Sequence, residues 1–404
     1  MLHNVTVSFE RPYDARLSDE LSRRVLYLAE GIESFHMVHE EGRIVGLQCQ
    51  LTAEADPTEI SAKIRRGLSR ELDGLSRPRP RVSWNTDDVT VGSAAAVLEE
   101  ARQNRTVREH GPGQVSLGGH LAELFEVLDA MVTQRIRGHG AQELKLPVLL
   151  PKQVLDAAGY FESFPQYLML VGRLRSDVDI FDEFAQLASR RSLPEIEGFF
   201  DRGSVATEYA LPPTMCYYVY DLVAREGLTE NAVYTARGPS FRFEHGYHSP
   251  LARLWDFTIR ETVFLGHRDY VDEHLDQLRG EIIGLADELG LRGRCETASD
   301  PFFMTAAGVN RINVQRMTDA KSELQLRLDP ERSIAVASFN RHGQYLTKRF
   351  DLTADAEDRQ TVTACVGVGL ERLLFAFIAQ LGLDEAAWPE PVRERLEQWR
   401  SWRS

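Results

Sequence analysis

The stretch from Arg237 to Gly266 constrains the fold of this chain more than any other. It reads RGPSFRFEHGYHSPLARLWDFTIRETVFLG, in which two β-compatible runs flank a polar loop rich in Gly, His and Ser. Such a pattern predicts an antiparallel hairpin with a long loop. Strand alternation places Arg242 and Glu244 on one face, so a guanidinium suited to phosphate and a carboxylate that can accept from an amino group point into one pocket. A structural cross-strand ion pair is the alternative.

A second stretch, TACVGVGLERLLFAFIAQLG from Thr363 to Gly382, predicts a buried strand, a glycine-rich turn and an amphipathic helix that begins at Leu370. Arg372 falls in the first turn of that helix, where the arginine, the unpaired backbone amides and the helix dipole together favour a polyphosphate. The sequence has no G-x-x-x-x-G-K-[ST] loop, and GVGLER lacks the third glycine of a dinucleotide-binding turn. An ATP site in this chain must therefore be built in another way.

These two stretches resemble motifs 2 and 3 of the class II aminoacyl-tRNA synthetases, whose signatures are F-R-x-E before a loop and a second strand, and G-φ-G-φ-x-R. The resemblance implies an α+β catalytic domain, an antiparallel sheet with helices, that makes an aminoacyl adenylate from an amino acid and ATP with Mg²⁺. It also implies that Arg242 and Arg372 are catalytic and bind ATP. Glu244 would meet the adenine end of ATP. Arg253, which closes the hairpin loop, is a further candidate for contact with the phosphates.

The run ALPPTMCYYVY resembles the seryl-type L-x-P-T-x-E loop that meets the substrate amino group, but Cys216 stands where glutamate is usual. The separations from Cys216 to Glu261 and Cys365 are far too long for a local zinc finger, so spacing alone does not predict a metal site. Methanogen-type seryl-tRNA synthetases and the amino acid:[carrier protein] ligases share such a Cys/Glu/Cys set. Resemblance to them implies that the three residues bind Zn²⁺ and leave one position open for the substrate α-amino group.

Three further segments resemble the amino acid:[carrier protein] ligases more closely, namely GYFESFP (Gly159 to Pro165), Lys321 to Leu324 and Ser338 to Asn340. The resemblance implies that a small amino acid (Gly, Ala or Ser) passes from the adenylate to the thiol of a carrier protein's phosphopantetheine arm. The residues expected to bind the substrate are Thr214, Lys321, Glu323 and Asn340.

The piece from Asp179 to Phe200 has helical spacing with an interruption before Pro194, which predicts an inserted pair of short helices. It is our candidate for the helix with which the carrier protein ligases bind their partner. An insertion that only covers the core is the alternative.

The formal net charge of −14 argues against a broad phosphate-binding surface and so disfavours tRNA as the acceptor. A zinc-dependent seryl-tRNA synthetase stays the alternative function. His245 and His248, in the hairpin loop, are candidates for carrier or substrate contact, with solvated loop histidines as the alternative. One local basic cluster is either a solvated surface or a docking surface for an acidic partner, and comprises Lys63, Arg65, Arg66, Arg70, Arg77, Arg79 and Arg81.

We divide the chain into an N-terminal α+β accessory domain with its linker, residues 1–110, and a class II synthetase-like catalytic domain, residues 111–404. The accessory domain is predicted to comprise a strand at Val5 to Phe9, a helix at Leu17 to Ala29, two strands around Glu41-Gly42 and a helix from Pro57 to about Leu75. Two features depart from the minimal ligases, namely this domain and the segment RHGQYLTKRF after Asn340.

The segment from His120 to Pro151 resembles motif 1 of the class II synthetases, with Pro147 as the matching proline, and so implies a homodimer. The chain has four scattered cysteines, an N-terminus unlike a secretory leader and no apolar run that approaches 18 residues. We therefore expect a cytoplasmic protein that makes no membrane contact.

Overall fold

A computed structural model describes residues 3–14, 18–72, 80–86, 92–228, 230–244, 249–300, 306–330, 332–352 and 361–403. Its N-terminal part comprises β1 (His3–Asp14), α1 (Ser18–Val25), β2 (Ile32–Glu40), β3 (Arg43–Leu51) and α2 (Pro57–Leu72). The three strands form an antiparallel sheet in the order β1-β3-β2, and apolar residues of both helices and the sheet form one core. The predicted order of elements in this part is confirmed, although the first helix ends four residues earlier than predicted.

The turn between β2 and β3 shows why the hairpin forms where the sequence places it. Glu41 and Gly42 both have positive φ, 47° and 74°. Two successive left-handed residues match the twist of the flanking strands, and glycine takes up this conformation without strain.

The remaining elements follow in chain order: β4 (Val82–Asn85), α3 (Ala94–Gln103), β5 (Val107–Gly111), β6 (Gln114–Leu117), α4 (Gly119–Arg137), β7 (Gln142–Leu144), β8 (Leu150–Pro151), α5 (Lys152–Ala157), α6 (Tyr160–Ser163), β9 (Leu170–Leu174), α7 (Val178–Ser189), α8 (Leu193–Gly203), β10 (Ser204–Ala210), α9 (Cys216–Glu226), β11 (Ala232–Phe241), β12 (Asp256–Gly266), α10 (Arg268–Glu288), β13 (Gly293–Thr297), α11 (Ala306–Thr318), β14 (Lys321–Arg327), β15 (Ser333–Gly343), α12 (Tyr345–Phe350), β16 (Val362–Gly369), α13 (Leu370–Leu381) and α14 (Glu390–Arg403).

An eight-stranded sheet in the order β4-β13-β14-β15-β16-β12-β11-β7 organises this larger part. All neighbours are antiparallel except β7 and β11. Buried residues of α3, α4, α10 and α13 form a core on one face, and buried residues of α5, α9 and α12 form a second core on the other. Alternate residues of the central strands enter opposite cores, which is why those strands read as continuous apolar runs. The predicted α+β fold is confirmed.

The elements expected to carry the chemistry are present. Strands β11 and β12 form the predicted hairpin, and Arg242 and Glu244 lie just beyond the end of β11. Strand β16 leads directly into α13, whose first turn contains Arg372. Between β9 and β10, the predicted helical pair is α7 and α8, and Pro194 lies in the first turn of α8.

The division of the chain at residue 110 stays a prediction, and two elements before it contact the larger part. Strand β4 pairs with β13 at the edge of the large sheet. Helix α3 buries Ala94, Val97 and Ala101 in the same core as α4 and α13. No helix in the part of the chain that the structure describes is both long and apolar enough to cross a membrane.

Candidate active site

Pairing of four neighbouring strands brings the expected site residues onto one face of the large sheet. Residues directly opposite each other in a ladder share a face, as do residues two positions apart on one strand. One row across β14, β15, β16 and β12 is Lys321, Asn340, Cys365 and Val263. The next row, two residues along, is Glu323, Ser338, Gly367 and Glu261. Residues far apart in sequence thus meet because the sheet fixes their register.

Cys216, Glu261 and Cys365 form a compact buried cluster at the centre of this face. One ligand atom from each lies within 4.8 Å of the other two. Cys216 is the first residue of α9, which begins above the sheet. The Oε2 atom of Glu261 accepts hydrogen bonds from the Thr214 hydroxyl at 2.6 Å and from the backbone amides of Met215 and Cys216, both at 2.9 Å. Glu261 therefore holds the start of α9 with one oxygen and has its second oxygen left for the cluster.

Three acidic groups in so small a buried volume shift each other's protonation. Burial, and after it the Cys365 sulfur, raise the pKa of Glu261 to about 7. A hydrogen bond between the two thiols raises the pKa of Cys216 well above its ordinary value and lowers the pKa of Cys365 well below it, and His342 contributes to the lower value. The cluster thus holds one thiolate readily, while further negative charge is unfavourable without a cation.

This donor set fits a zinc ion. Tetrahedral zinc binds sulfur at about 2.3 Å and carboxylate oxygen at about 2.1 Å, so its ligand atoms here would lie about 3.6 to 3.8 Å apart, within the span of the cluster. Two thiolates and a carboxylate make three protein ligands, the number found in zinc sites that leave a fourth position for substrate. A divalent cation would also offset the negative charge that burial disfavours.

Three arginines lie together beside the cluster. Arg242 Nε donates to the carbonyl of Pro213 at 3.1 Å, and its guanidinium lies over the ring of Phe257. Arg372 Nε donates to the carbonyl of Ala252 at 2.8 Å. Burial first, and then Arg253 and Arg242, lower the pKa of Arg372 to about 10. Because Arg253 and Arg242 disfavour the charge on Arg372, the three guanidiniums together would favour a bound polyphosphate.

Lys321 and its partners form a charged network at the other end of the face. Lys321 Nζ lies 2.6 Å from Asp300 Oδ1 and 3.0 Å from Glu323 Oε1. Burial alone would lower the pKa of Lys321, but Asp300 and Glu323 raise it. Asn340, which lies opposite Lys321 in the ladder of β14 and β15, has its Nδ2 atom 3.5 Å from Cys365 Sγ.

The structure adds residues that the sequence reading missed. His342 Nε2 lies 3.7 Å from Cys365 Sγ, and Asp300 pairs with Lys321. His342 follows Asn340 by two positions on β15, so alternation along that strand could have placed it on the same face. Asp300 lies in a loop, where the sequence offers no such rule.

Some predicted residues lie outside the described part of the chain, namely His245, His248, Arg77 and Arg79, and the side chain of Arg70 is likewise not described. Of the basic cluster, the structure describes Lys63, Arg65 and Arg66 on α2 and, separately, Arg81. Lys63 forms an ion pair with Glu59, while Arg65 and Arg66 are exposed.

Comparison with protein families finds a match between residues 200–381 and the tRNA synthetase class II core domain (G, H, P, S and T). The type-2 serine–tRNA ligase of Methanothermobacter thermautotrophicus is 26% identical over 367 residues, which cover 89% of this chain and 69% of that ligase. Its counterpart from Methanopyrus kandleri is 28% identical, and this chain spans 60% of its length.

Amino acid–[acyl-carrier-protein] ligase 1 of Bradyrhizobium diazoefficiens is 30% identical over 282 residues, which cover 68% of this chain and 81% of that ligase. Among solved structures, M. kandleri SerRS in complex with A. aeolicus tRNASec superposes with a TM-score of 0.73 at 22% identity, over 99% of this chain and 78% of that one. This likeness supports the fold described above.

Proposed function

We propose that this chain, which belongs to the class II aminoacyl-tRNA synthetase superfamily, activates a small amino acid with ATP and passes it to the phosphopantetheine thiol of a carrier protein. Its relatives include type-2 serine–tRNA ligases and amino acid–[acyl-carrier-protein] ligases. The observation that carries this proposal is the proximity of two groups: a Cys/Glu/Cys cluster suited to an amino group through zinc, and a set of three arginines suited to ATP, of which Arg242 contacts the segment that leads to Cys216.

In the proposed first step, a carboxylate oxygen of the amino acid attacks the α-phosphorus of ATP, and the bond from that phosphorus to pyrophosphate breaks. Arg242 would neutralise the charge on the α-phosphate, while Arg253 and Arg372 would hold the departing pyrophosphate. Glu244 would accept from the adenine. This chemistry needs positioning and electrostatic stabilisation and no protein nucleophile.

Cys216, Glu261 and Cys365 would hold zinc, which supplies a Lewis-acidic position that binds a free α-amino group. Thr214 would keep Glu261 in place, because its hydroxyl donates to the carboxylate. Lys321, Glu323 and Asn340 would line the pocket beside the substrate carboxylate, where Mg²⁺ accompanies ATP. The site would thus reject compounds without an amino group, and its limited space would favour glycine, alanine or serine.

In the second step, the thiol of the carrier's phosphopantetheine attacks the carbonyl carbon of the adenylate. A thioester bond forms, AMP leaves, and the thiol proton goes to solvent or to the departing phosphate. Two observations favour a carrier over tRNA. The net charge is −14, and the match covers a greater share of the length of the carrier protein ligase than of the two serine–tRNA ligases.

Self-association is part of the proposal. Val148 and Leu149, next to Pro147 of the motif 1 segment, are 43% and 44% exposed. They lie beside a mainly apolar cavity of about 490 Å³, lined by Pro147, Leu149, Pro151, Tyr209, Tyr218 and Asp221. Burial of this surface against a second copy would remove apolar area from water and so stabilise a homodimer.

A seryl-tRNA synthetase is the second candidate function. It is favoured by one observation: the match to the Methanothermobacter ligase covers 89% of this chain, against 68% for the carrier protein ligase.

Acceptor choice separates the two candidates. Zinc-loaded protein would be incubated with ATP, Mg²⁺ and labelled glycine, alanine or serine, together with an acyl carrier protein in its phosphopantetheine form, the same protein without the arm, or total tRNA. We expect label on the phosphopantetheine form alone, as an alkali-labile thioester. Label on tRNA and on neither carrier would overturn the carrier proposal in favour of the second candidate.

A further inference from the structure

The short segment after β11, residues 242–244, is held in place by hydrogen bonds from residues that lie outside the strands of the sheet. The backbone amide of Arg242 donates to the carbonyl of Trp255 at 3.0 Å, and the carbonyl of Glu244 accepts from Trp255 Nε1 at 2.9 Å. Between them, the carbonyl of Phe243 accepts a hydrogen bond of 2.9 Å from the hydroxyl of Tyr27. Tyr27 belongs to the N-terminal part of the chain, just after α1.

Tyr27 also contacts the side chains of Tyr167 and Glu244, which lie at the proposed ATP site. Its ring meets the ring of Tyr167 edge to face, with centroids 5.6 Å apart, and the backbone amide of Phe243 donates to the carbonyl of Tyr167. Its hydroxyl oxygen is 3.5 Å from Glu244 Oε2, the same distance that separates that carboxylate oxygen from Arg253 Nη1. The N-terminal part thus contacts Glu244, the carboxylate proposed to bind adenine, and the residue before it.

The hydrogen bond acts on the orientation of Glu244 through the backbone. The carbonyl of Phe243 and the Cα atom of Glu244 belong to one planar peptide unit, and Trp255 holds the carbonyl of the next unit, so the two held units on either side of that Cα together restrict the direction in which the Glu244 side chain leaves the chain. Glu244 is buried, and the two contacts described above, each 3.5 Å, are longer than ordinary hydrogen bonds. Its carboxylate therefore keeps capacity to accept from a ligand's amino group.

We propose that Tyr27 is a positioning residue for ATP, by which the N-terminal part completes the adenine end of the site through Phe243 and Glu244. The inference rests on the proposed function only in that Glu244 is taken to accept from the adenine amino group. The N-terminal part would then support the ATP site of its own chain, whether the acceptor is a carrier protein or tRNA.

The test is the variant Tyr27→Phe, which keeps the ring against Tyr167 and removes the hydroxyl. Affinity for ATP with Mg²⁺ would be measured by titration calorimetry, next to affinity for purine riboside triphosphate, which lacks the amino group of adenine. We expect ATP to bind about fivefold more weakly to the variant, the effect of one ordinary hydrogen bond, and the analogue to bind both proteins equally. Tyr13→Phe, in the same N-terminal part, is the matched control and should bind ATP as the parent protein does.

Two results would overturn the inference: equal ATP affinity in Tyr27→Phe and the parent protein, or an equal loss for ATP and the analogue, which would indicate a general disturbance of the fold. The outcome is separable from the proposed function. A parent protein that binds ATP but exchanges pyrophosphate with no amino acid would contradict amino-acid activation while leaving the role of Tyr27 in ATP binding intact.

Discussion

Cys365 illustrates how a single side chain in this site depends on its neighbours. Its sulfur lies near Asn340 Nδ2 and His342 Nε2, and the other ring nitrogen of His342 is 3.3 Å from both the Tyr220 hydroxyl and the Thr363 hydroxyl. The imidazole is thus held by groups on two elements, α9 and β16, and directed at a proposed zinc ligand. Such outer contacts orient a ligand and moderate the charge on its sulfur.

We predict that His342→Leu, which keeps the volume but removes both ring nitrogens, weakens zinc binding about tenfold. Zinc affinity would be measured by competition with a chromophoric chelator, and thermal melting would check that the variant folds. His274→Leu is the matched control, because His274 lies on α10, against the opposite face of the sheet. Zinc affinity in His342→Leu equal to that of the control would contradict this role.

The site residues also show where sequence reasoning stops. Local patterns identified the hairpin, the β16–α13 turn and the place of Arg372, because each depends on alternation or on a helix start within one segment. The meeting of Cys216, Glu261 and Cys365 depends on the pairing of β12 with β16 and on the start of α9, so it came only from resemblance. Asp300 and Tyr27 were missed because each acts across a contact between distant segments.

At the scale of elements, the inserted pair α7 and α8 differs from its surroundings. No residue of α7 is buried, and Phe181 and Leu193 are 49% and 62% exposed. Arg190 and Arg191 are exposed at the turn between the two helices. Apolar side chains beside positive charge suit an acidic carrier protein, and this supports the proposal that the pair binds the carrier.

We predict that the double variant Arg190→Glu with Arg191→Glu slows transfer to an acidic holo-carrier at least about tenfold, because it replaces attraction by repulsion. Amino-acid-dependent pyrophosphate exchange should be unchanged, since these arginines lie outside the sheet face that carries the site. The matched control is Lys63→Glu with Arg65→Glu on α2, which tests the other basic surface. Slower transfer in the control and normal transfer in the α7–α8 variant would assign docking to α2 instead.

At the scale of the whole molecule, the large sheet is the frame that holds the candidate site together. Its two cores bury both faces of the central strands, so the register that aligns Lys321, Asn340 and Cys365 is fixed by packing on either side. The fold class could be predicted because motifs 2 and 3 carry strand and helix patterns strong enough to read locally. The attachment of β4 and α3 to this frame could not, because neither carries a motif.

Zinc-dependent activation of an amino acid is tested most directly by ATP–pyrophosphate exchange, measured with each common amino acid on zinc-loaded protein and on Cys216→Ala. We expect exchange with one small amino acid, loss of exchange after zinc is removed, recovery when zinc is restored, and no exchange in Cys216→Ala. Absence of exchange with every amino acid, from folded protein that binds both zinc and ATP, would contradict this expectation.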